Sequence, residues 1–508
     1  MIRPFSDWCA VEQFPQTGFL LPPSVDEWLP ERHLARFVVE VIDGLDLRTM
    51  SGDYRGSGSA SYHPSMLLGL LVYGYATGVF SSRKLERATY DSVAFRFIAA
   101  NDHPDHDTLA AFRRRFLTEI EALFVKVLVL AREMGVLKMG TVALDGTKIH
   151  ANASRHSALS YEHAGKIEAQ LKAEVAELLA KAEAADAADV PDGMSIPEEL
   201  ARREERLRKI AEARAKIEAR AKERYERELA EHEAKLAARA ARTAETGKKP
   251  RGKPPEPPAE GPLPKDQINL TDEESRIMPV AGGGFDQCYN AQAAVATGSN
   301  LVVAVDVTQA PNDKNQIEPM VDKLGALGED VGTCERLLAD TGYYSAGNVE
   351  ACEKARIEPT IAMGRQPHHP PLSERLQTSP ALPDVSTPDA STQEKPTPED
   401  PAPESQAREN PTVENAALDS AVAPARAPEC AAAKTPTAVE ANARRLKTPE
   451  GRELYALRKQ TPEPVFGIIK SAMAFRQFSL RGLDNVRGEW SLVTMSYNIK
   501  RLFSLAAA

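Results

Sequence analysis

The chain has 508 residues and a formal net charge of −10, long enough for two to four domains of about 150 residues each. Apolar residues make up 42% and aromatic residues 6% of it. That is below the usual globular share, so part of the chain lies outside any packed core. An acidic balance excludes a simple basic nucleic-acid coat but allows a local basic surface. The five cysteines, Cys9, Cys288, Cys334, Cys352 and Cys430, are scattered and show no C-x-x-C spacing. They exclude a disulfide framework and a zinc ribbon, and fit a reducing cytoplasm. Arg3, Asp7 and Trp8 interrupt the beginning of the sequence, so no signal peptide is expected. The most apolar stretch, residues 66–80, is fifteen residues long and holds three glycines. It is too short to cross a bilayer, and no membrane partner is expected.

Residues 1–135 read as an all-α domain. Leu67, Leu68, Leu71 and Val72 recur at helical spacing, as do Arg83, Leu85, Glu86 and Arg87. Ser81 or Ser82 suits the N-cap of the second helix, and Asp107 with Thr108 suits that of a third, running from Leu109 through Phe112 and Phe116 to Ile120. The pattern then changes to a short strand, Thr141-Val142-Ala143-Leu144, ending on Asp145-Gly146, within a segment spanning 136–160. Residues 161–245 are dense in Ala, Glu, Lys and Arg and break at 190–197 (VPDGMSIP). Two long helices in an antiparallel coiled-coil hairpin are predicted, with a weak, alanine-rich seam and a Lys/Gly/Pro-rich tail that closes the insert at 264.

Residues 265–365 return to α/β patterning. Strands are predicted at 290–297 and 301–307, joined by Gly298, Ser299 and Asn300, at 331–338 leading to Asp340, and at 357–362. Residues 366–440 hold 14 of the 37 prolines, with twelve acidic and five basic side chains, a net −7. Such a composition predicts a disordered insert. Residues 441–508 carry twelve basic and five acidic side chains, a net +7, a localised basic feature in an acidic chain.

Three carboxylates stand out. Asp145 and Asp340 each follow a run of small or aliphatic residues and stand at or near a glycine. A partly desolvated acid in that position needs a cation or a donor; each alone is equally a turn-capping aspartate. Glu463 precedes Pro464, which suits a first helical position, and Lys470 lies two turns further on the same face. Three acids on separate elements supply the hard oxygen ligands of a Mg²⁺ or Mn²⁺ phosphoryl-transfer site. Other features have plainer readings. Gly282-Gly283-Gly284 lacks a Walker lysine and reads as a turn, His103 and His106 as loop or capping residues, and His368-His369 as solvated.

The order of these elements resembles the DDE transposases of bacterial insertion sequences. The motifs that carry the resemblance are LDGTK at 144–148, NLTDEESRIMP at 269–279, YNAQ at 289–292, ADTGYY at 339–344 and the set Tyr455, Arg458, Glu463 and Lys470. In the N-terminal region, HPSMLL at 63–68 and PDHDT at 104–108 match the helical domain these enzymes carry. The resemblance implies an α/β ribonuclease-H-like catalytic core assembled from 136–160, 265–365 and 441–508, beside an all-α N-terminal DNA-binding domain. It implies a metal-binding catalytic triad of Asp145, Asp340 and Glu463, with Tyr455, Arg458 and Lys470 organising the site or touching DNA. On the same reading Arg83 and Lys84 face the element's inverted-repeat ends. The implied partners are double-stranded DNA and further copies of the chain. A non-catalytic DNA-binding derivative of such an enzyme is the competing expectation, and intact carboxylates at all three positions weigh against it. A coiled-coil structural protein would account for residues 161–245 alone.

Overall fold

The computed structural model describes residues 25–52, 61–185, 196–247, 252–364 and 437–506. The predicted disordered insert lies almost wholly outside them. The N-terminal region contains eight helices among the described residues: α1 (Val25–Trp28), α2 (Leu34–Asp43), α3 (Arg48–Gly52), α4 (Pro64–Thr77), α5 (Ser82–Asp91), α6 (Val93–Ile98), α7 (His106–Arg115) and α8 (Leu117–Glu133). α4 is apolar on nearly every side and is buried accordingly. Among the described residues, no single helix is long and apolar enough to cross a membrane.

Two helix starts differ in detail from the sequence reading. Ser81 takes the N-cap position of α5, but its side chain makes no capping bond. The cap of α7 is Asp105, two residues earlier than predicted, and its carboxylate accepts from Thr108 N at 2.8 Å. The predicted third helix also divides at Phe116, where φ −108° and ψ 27° leave the helical region. His106 hydrogen-bonds Glu86 Oε2 at 2.7 Å and His103 stacks on Tyr90, which accounts for both histidines as packing residues.

The sheet begins with β1 (Thr141–His150). After β2 (Ala158–Ser160) the chain leaves in two long helices, α9 (Tyr161–Ala185) and α10 (Ile196–Thr246). Ion pairs Arg214–Glu168 and Arg203–Glu174 run in opposite sequence directions, so the helices are antiparallel. Their seam is thin: Ala164, Leu171 and Leu178, spaced by sevens, are buried, as are Ile210, Ala213, Ile217 and Ala221. The chain returns through β3 (Gln267–Asn269), which pairs with β2, and β4 (Arg276–Pro279). The glycine triplet makes the tight turn into β5 (Phe285–Ala296), with φ near +90° at all three positions.

β6 (Val302–Thr308), α11 (Ile317–Ala326), β7 (Arg336–Ala339), α12 (Ala346–Lys354) and β8 (Glu358–Ile361) complete the sheet. Its spatial order is β6-β5-β1-β7-β8, with β4 also on β5. β5 is antiparallel to β1, β4 and β6; β1, β7 and β8 are mutually parallel. The C-terminal segment supplies α13 (Ala438–Arg445), α14 (Pro449–Gln460), α15 (Pro462–Gly467) and α16 (Leu483–Ala506).

Both sheet edges are closed by a buried asparagine from this segment. Asn498 bonds Val302 N and O at 2.9 and 2.7 Å, and Asn442 bonds Ile361 N and O at 3.0 and 2.9 Å. Each side-chain amide mimics a further strand and satisfies backbone groups that would otherwise be orphaned. One continuous apolar core extends from Leu29 in the N-terminal helices, through the sheet, to Leu502 in α16.

Candidate active site

Asp145 does not end its strand. β1 continues five residues further, to His150, because β5 is long enough to pair with all of it. The neighbour on the other side is shorter. β7 pairs with Thr141–Ala143 and stops at Ala339. Continuing that parallel register brings Asp340, the next residue, level with Asp145. Two acids distant in sequence thus become neighbours because β7 ends one residue before its aspartate.

Each acid also performs the ordinary local task. Asp145 Oδ1 accepts from Gly146 N and Asp340 Oδ1 from Gly342 N, both at 2.8 Å. Burial pushes the Asp145 carboxyl up to about 6, and the charges of Asp340 and Asp313 add to that rise. The Gly146 hydrogen bond and the Arg458 charge oppose it.

Arg458, on α14, is the nearest cation. It is nearly buried and stands between Asp145 Oδ2 at 3.5 Å and Glu463 Oε1 at 3.3 Å. Tyr455, one turn earlier, hydrogen-bonds Arg458 and feels the charges of Asp340 and Asp145. Glu463 sits in the first turn of α15, as expected, although Pro462 rather than Pro464 begins that helix. Lys470 lies beyond α15 in a π-turn, Ile468–Ala472, and points elsewhere. Its ammonium donates to Thr147 Oγ1 at 2.5 Å and Lys148 O at 2.9 Å on β1. The wider turn undoes the shared face expected for Lys470 and Glu463. Burial, together with neighbouring Lys148 and Arg476, lowers the Lys470 pKa. These three cations form a positive cluster alongside the acids.

A polar layer built from the YNAQ and ADTGYY motifs, to which the sequence reading gave no role, and from Asp313, which it did not single out, supports the acids. Asp313, in the loop after β6, accepts from Asn290 Nδ2 and Gln292 Nε2, each at 2.7 Å, and stands 3.9 Å from Lys148 Nζ. Tyr343, just after Asp340, donates its hydroxyl to Gln292 Oε1. Gly146 makes room for this layer: a Cβ there would fall 2.6 Å from Asp313 Oδ1 and closer still to Gln292 Nε2. The alternation of Asn290 and Gln292 on one strand face was the available signal; Asp313 had no such pattern.

Asp145, Asp340, Glu463, Tyr455 and Arg458 therefore come together, with Lys470 bonded to the adjacent stretch of β1. Arg83 and Lys84 are exposed on α5, which packs on α4, α6 and α7 and not on the acids. Among the described residues, no three His, Cys, Asp or Glu side chains stand close enough to share a metal ion, and Arg458 fills the space between two of the acids.

Two family models match the chain. "Transposase domain (DUF772)" covers residues 23–115 and "Transposase DDE domain" covers residues 264–499. No curated protein and no solved structure gave a match.

Proposed function

From the premise that this chain belongs to the DDE transposases, we propose that it binds the inverted-repeat ends of its element, cuts the DNA there and joins the ends to a target. The observation that carries this reading is the placement of Asp340, one residue past the end of β7, level with Asp145 on β1, with Glu463 linked to Asp145 through Arg458. The strand order, with one antiparallel hairpin followed by two parallel strands, supports a ribonuclease-H-like core.

The donor set fits a hard divalent cation. The Asp145 carboxyl, raised by burial and by the neighbouring charges of Asp340 and Asp313, is relieved by positive charge placed beside it. Asp145 and Asp340 would hold Mg²⁺ or Mn²⁺, with Glu463 as the third ligand once Arg458 turns away. Bound there, such ions activate a water or a 3′-hydroxyl and stabilise the leaving oxygen.

The chain's own groups have separate tasks. Arg458 neutralises Asp145 and Glu463 before DNA arrives. Lys148, Lys470 and Arg476 offer charge to the phosphates that flank the reacting bond. Arg83 and Lys84 on α5 are free to meet bases or backbone. Pairing of two element ends calls for at least two copies of the chain in the DNA complex.

The test is nicking of a labelled end fragment in Mg²⁺ or Mn²⁺, run beside a binding assay. Asp145→Asn, Asp340→Asn and Glu463→Gln should each abolish nicking and leave end binding within a few-fold. Cleavage retained in any one of them removes that acid from the triad.

A further inference from the structure

A cleft of about 590 Å³ opens where α10 crosses the sheet at β4 and the beginning of β5. None of the three acids lines it. Arg220, Arg224 and Arg227 project into it from α10, at i, i+4 and i+7, so they share one face of the helix. Arg276 of β4 and Lys265 contribute from the opposite wall. Only two carboxylates, Glu223 and Asp266, are among the lining residues, and Asp266 is already engaged by Arg224 Nη1 at 2.7 Å.

None of the remaining cations forms an ion pair with a carboxylate among the described residues. Arg220 donates Nη2 to Glu273 O at 2.9 Å, but its Nη1 is buried with no hydrogen-bond partner. Arg276 is fixed by the carbonyls of Glu273, Glu274 and Ser275. Burial, and then the nearby charge of Arg220, bring its pKa down to about 10. Arg227 and Lys265 form no ion pair among the described residues. An orphaned guanidinium N–H costs free energy that a charged acceptor would recover. Adjacent guanidinium groups in a half-buried cleft add a Coulomb penalty that an anion would likewise relieve.

We propose that this cleft binds a backbone phosphate of the DNA duplex, which makes the helical insert a DNA-clamping arm. The proposal rests on the functional reading given above. Position supports it. Arg276 is in register with Cys288 of β5, and Asp145 with Ala293. Five strand residues separate those points, roughly 17 Å at about 3.4 Å per residue. That corresponds to about five base pairs of duplex beyond the reacting bond.

The full chain would be titrated with labelled end and scrambled duplexes at several salt concentrations, and separately with inorganic phosphate. Wild type would be compared with Arg220→Gln, Arg227→Gln and Lys222→Gln. Lys222 is a well-exposed residue on the same helix and does not line the cleft, so it controls for the charge change. Arg227 has no ion pair to lose, so its variant keeps the test valid if Arg220→Gln disturbs the hairpin. Each cleft variant should weaken both duplexes by roughly 3–10-fold and reduce the slope of log K against log salt by about one, with Lys222→Gln close to wild type. Cleft variants that bind duplex like Lys222→Gln, or that lose only inorganic phosphate binding, overturn the proposal. Wild type that binds neither duplex overturns it together with the functional reading.

Discussion

Replacing Asp145 by asparagine should stabilise the fold above neutral pH while abolishing strand cleavage. The carboxyl, ordinarily near 3.8, is pushed up to about 6 in the folded chain, chiefly by burial. An acid with a raised folded pKa destabilises the native state as it ionises, because the unfolded chain releases that proton more readily. Below about pH 4 both states are protonated and the effect vanishes. Between 4 and 6 stability falls as pH rises, and above 6 the whole cost is present. A shift of about two units corresponds to about 3 kcal/mol. Asparagine keeps the acceptor for Gly146 N and removes the charge, so the variant should gain on wild type by that amount between pH 4 and pH 8. With about 2 cal/mol/K of unfolding entropy per residue over some 400 folded residues, the gain is roughly 4 °C in Tm. The assay is thermal melting of both proteins from pH 4 to 8 in EDTA. Adding Mg²⁺ at pH 8 should then raise wild type toward the variant and leave the variant unmoved, since binding stabilises only the form that binds. A difference in Tm that does not grow with pH would refute the buried-charge argument.

Gly146→Ala forces a methyl group into Asp313 and Gln292; it should cost about 1–3 kcal/mol in denaturant melts and slow cleavage more than it weakens end binding. Arg113 donates to Tyr75 Oη at 2.9 Å, whose hydroxyl in turn donates to the fully buried Glu489 at 2.8 Å; Arg113→Met leaves that carboxylate short of its cation and should destabilise by about 3 kcal/mol, read by chemical denaturation. Asn498→Leu strips the partners from Val302 N and O and should cost about 1–3 kcal/mol per unmet group, with faster amide exchange along β6. Lys470→Ala should weaken end and scrambled duplexes alike and flatten the salt dependence by about one unit, measured by anisotropy; unchanged affinity would take Lys470 off the DNA path.

What the sequence disclosed follows from how local each signal was. The hairpin at 290–307 and the strand ahead of Asp340 rest on turn residues and periodicity within a few positions; the hairpin occurs where expected, the strand is limited to Arg336–Ala339, and the predicted break at 190–197 lies mostly outside the described residues, with α10 already begun at Ile196. The acids were legible as strand-associated aspartates. Their adjacency was not, since it depends on β7 ending at Ala339 in parallel register with β1. Asp313 was invisible for a similar reason: its partners lie on β5, more than twenty residues away, and meet it only because Gly146 leaves space. The π-turn at Lys470 shows the limit of helical arithmetic. Counting residues from Glu463 assumes 3.6 per turn, and one wider turn redirects the side chain toward Thr147.

The C-terminal helix ties the N-terminal helices to the reacting strand through two consecutive residues. Glu489 accepts from Tyr75 Oη and from Ser479 N and Leu480 N, while Trp490 donates its indole N–H to Gln292 O at 3.0 Å. Gln292 is the residue that holds both Asp313 and Tyr343. The N-terminal helices and the strand beside Asp145 therefore share one packed core among the described residues. In a tethered pair of domains, linker length would set the distance from recognised sequence to cut bond and would blur it. Here the N-terminal helices and the sheet are held to each other by side-chain packing, which has the stiffness of a close-packed solid. On the function proposed above, this packing predicts cutting at a set number of base pairs from the recognised sequence. Loosening the Glu489–Tyr75 contact, by Tyr75→Phe, should scatter the cut positions on an end fragment before it abolishes cutting. Cuts that stay at one position in a folded Tyr75→Phe variant would show that this contact does not set the register.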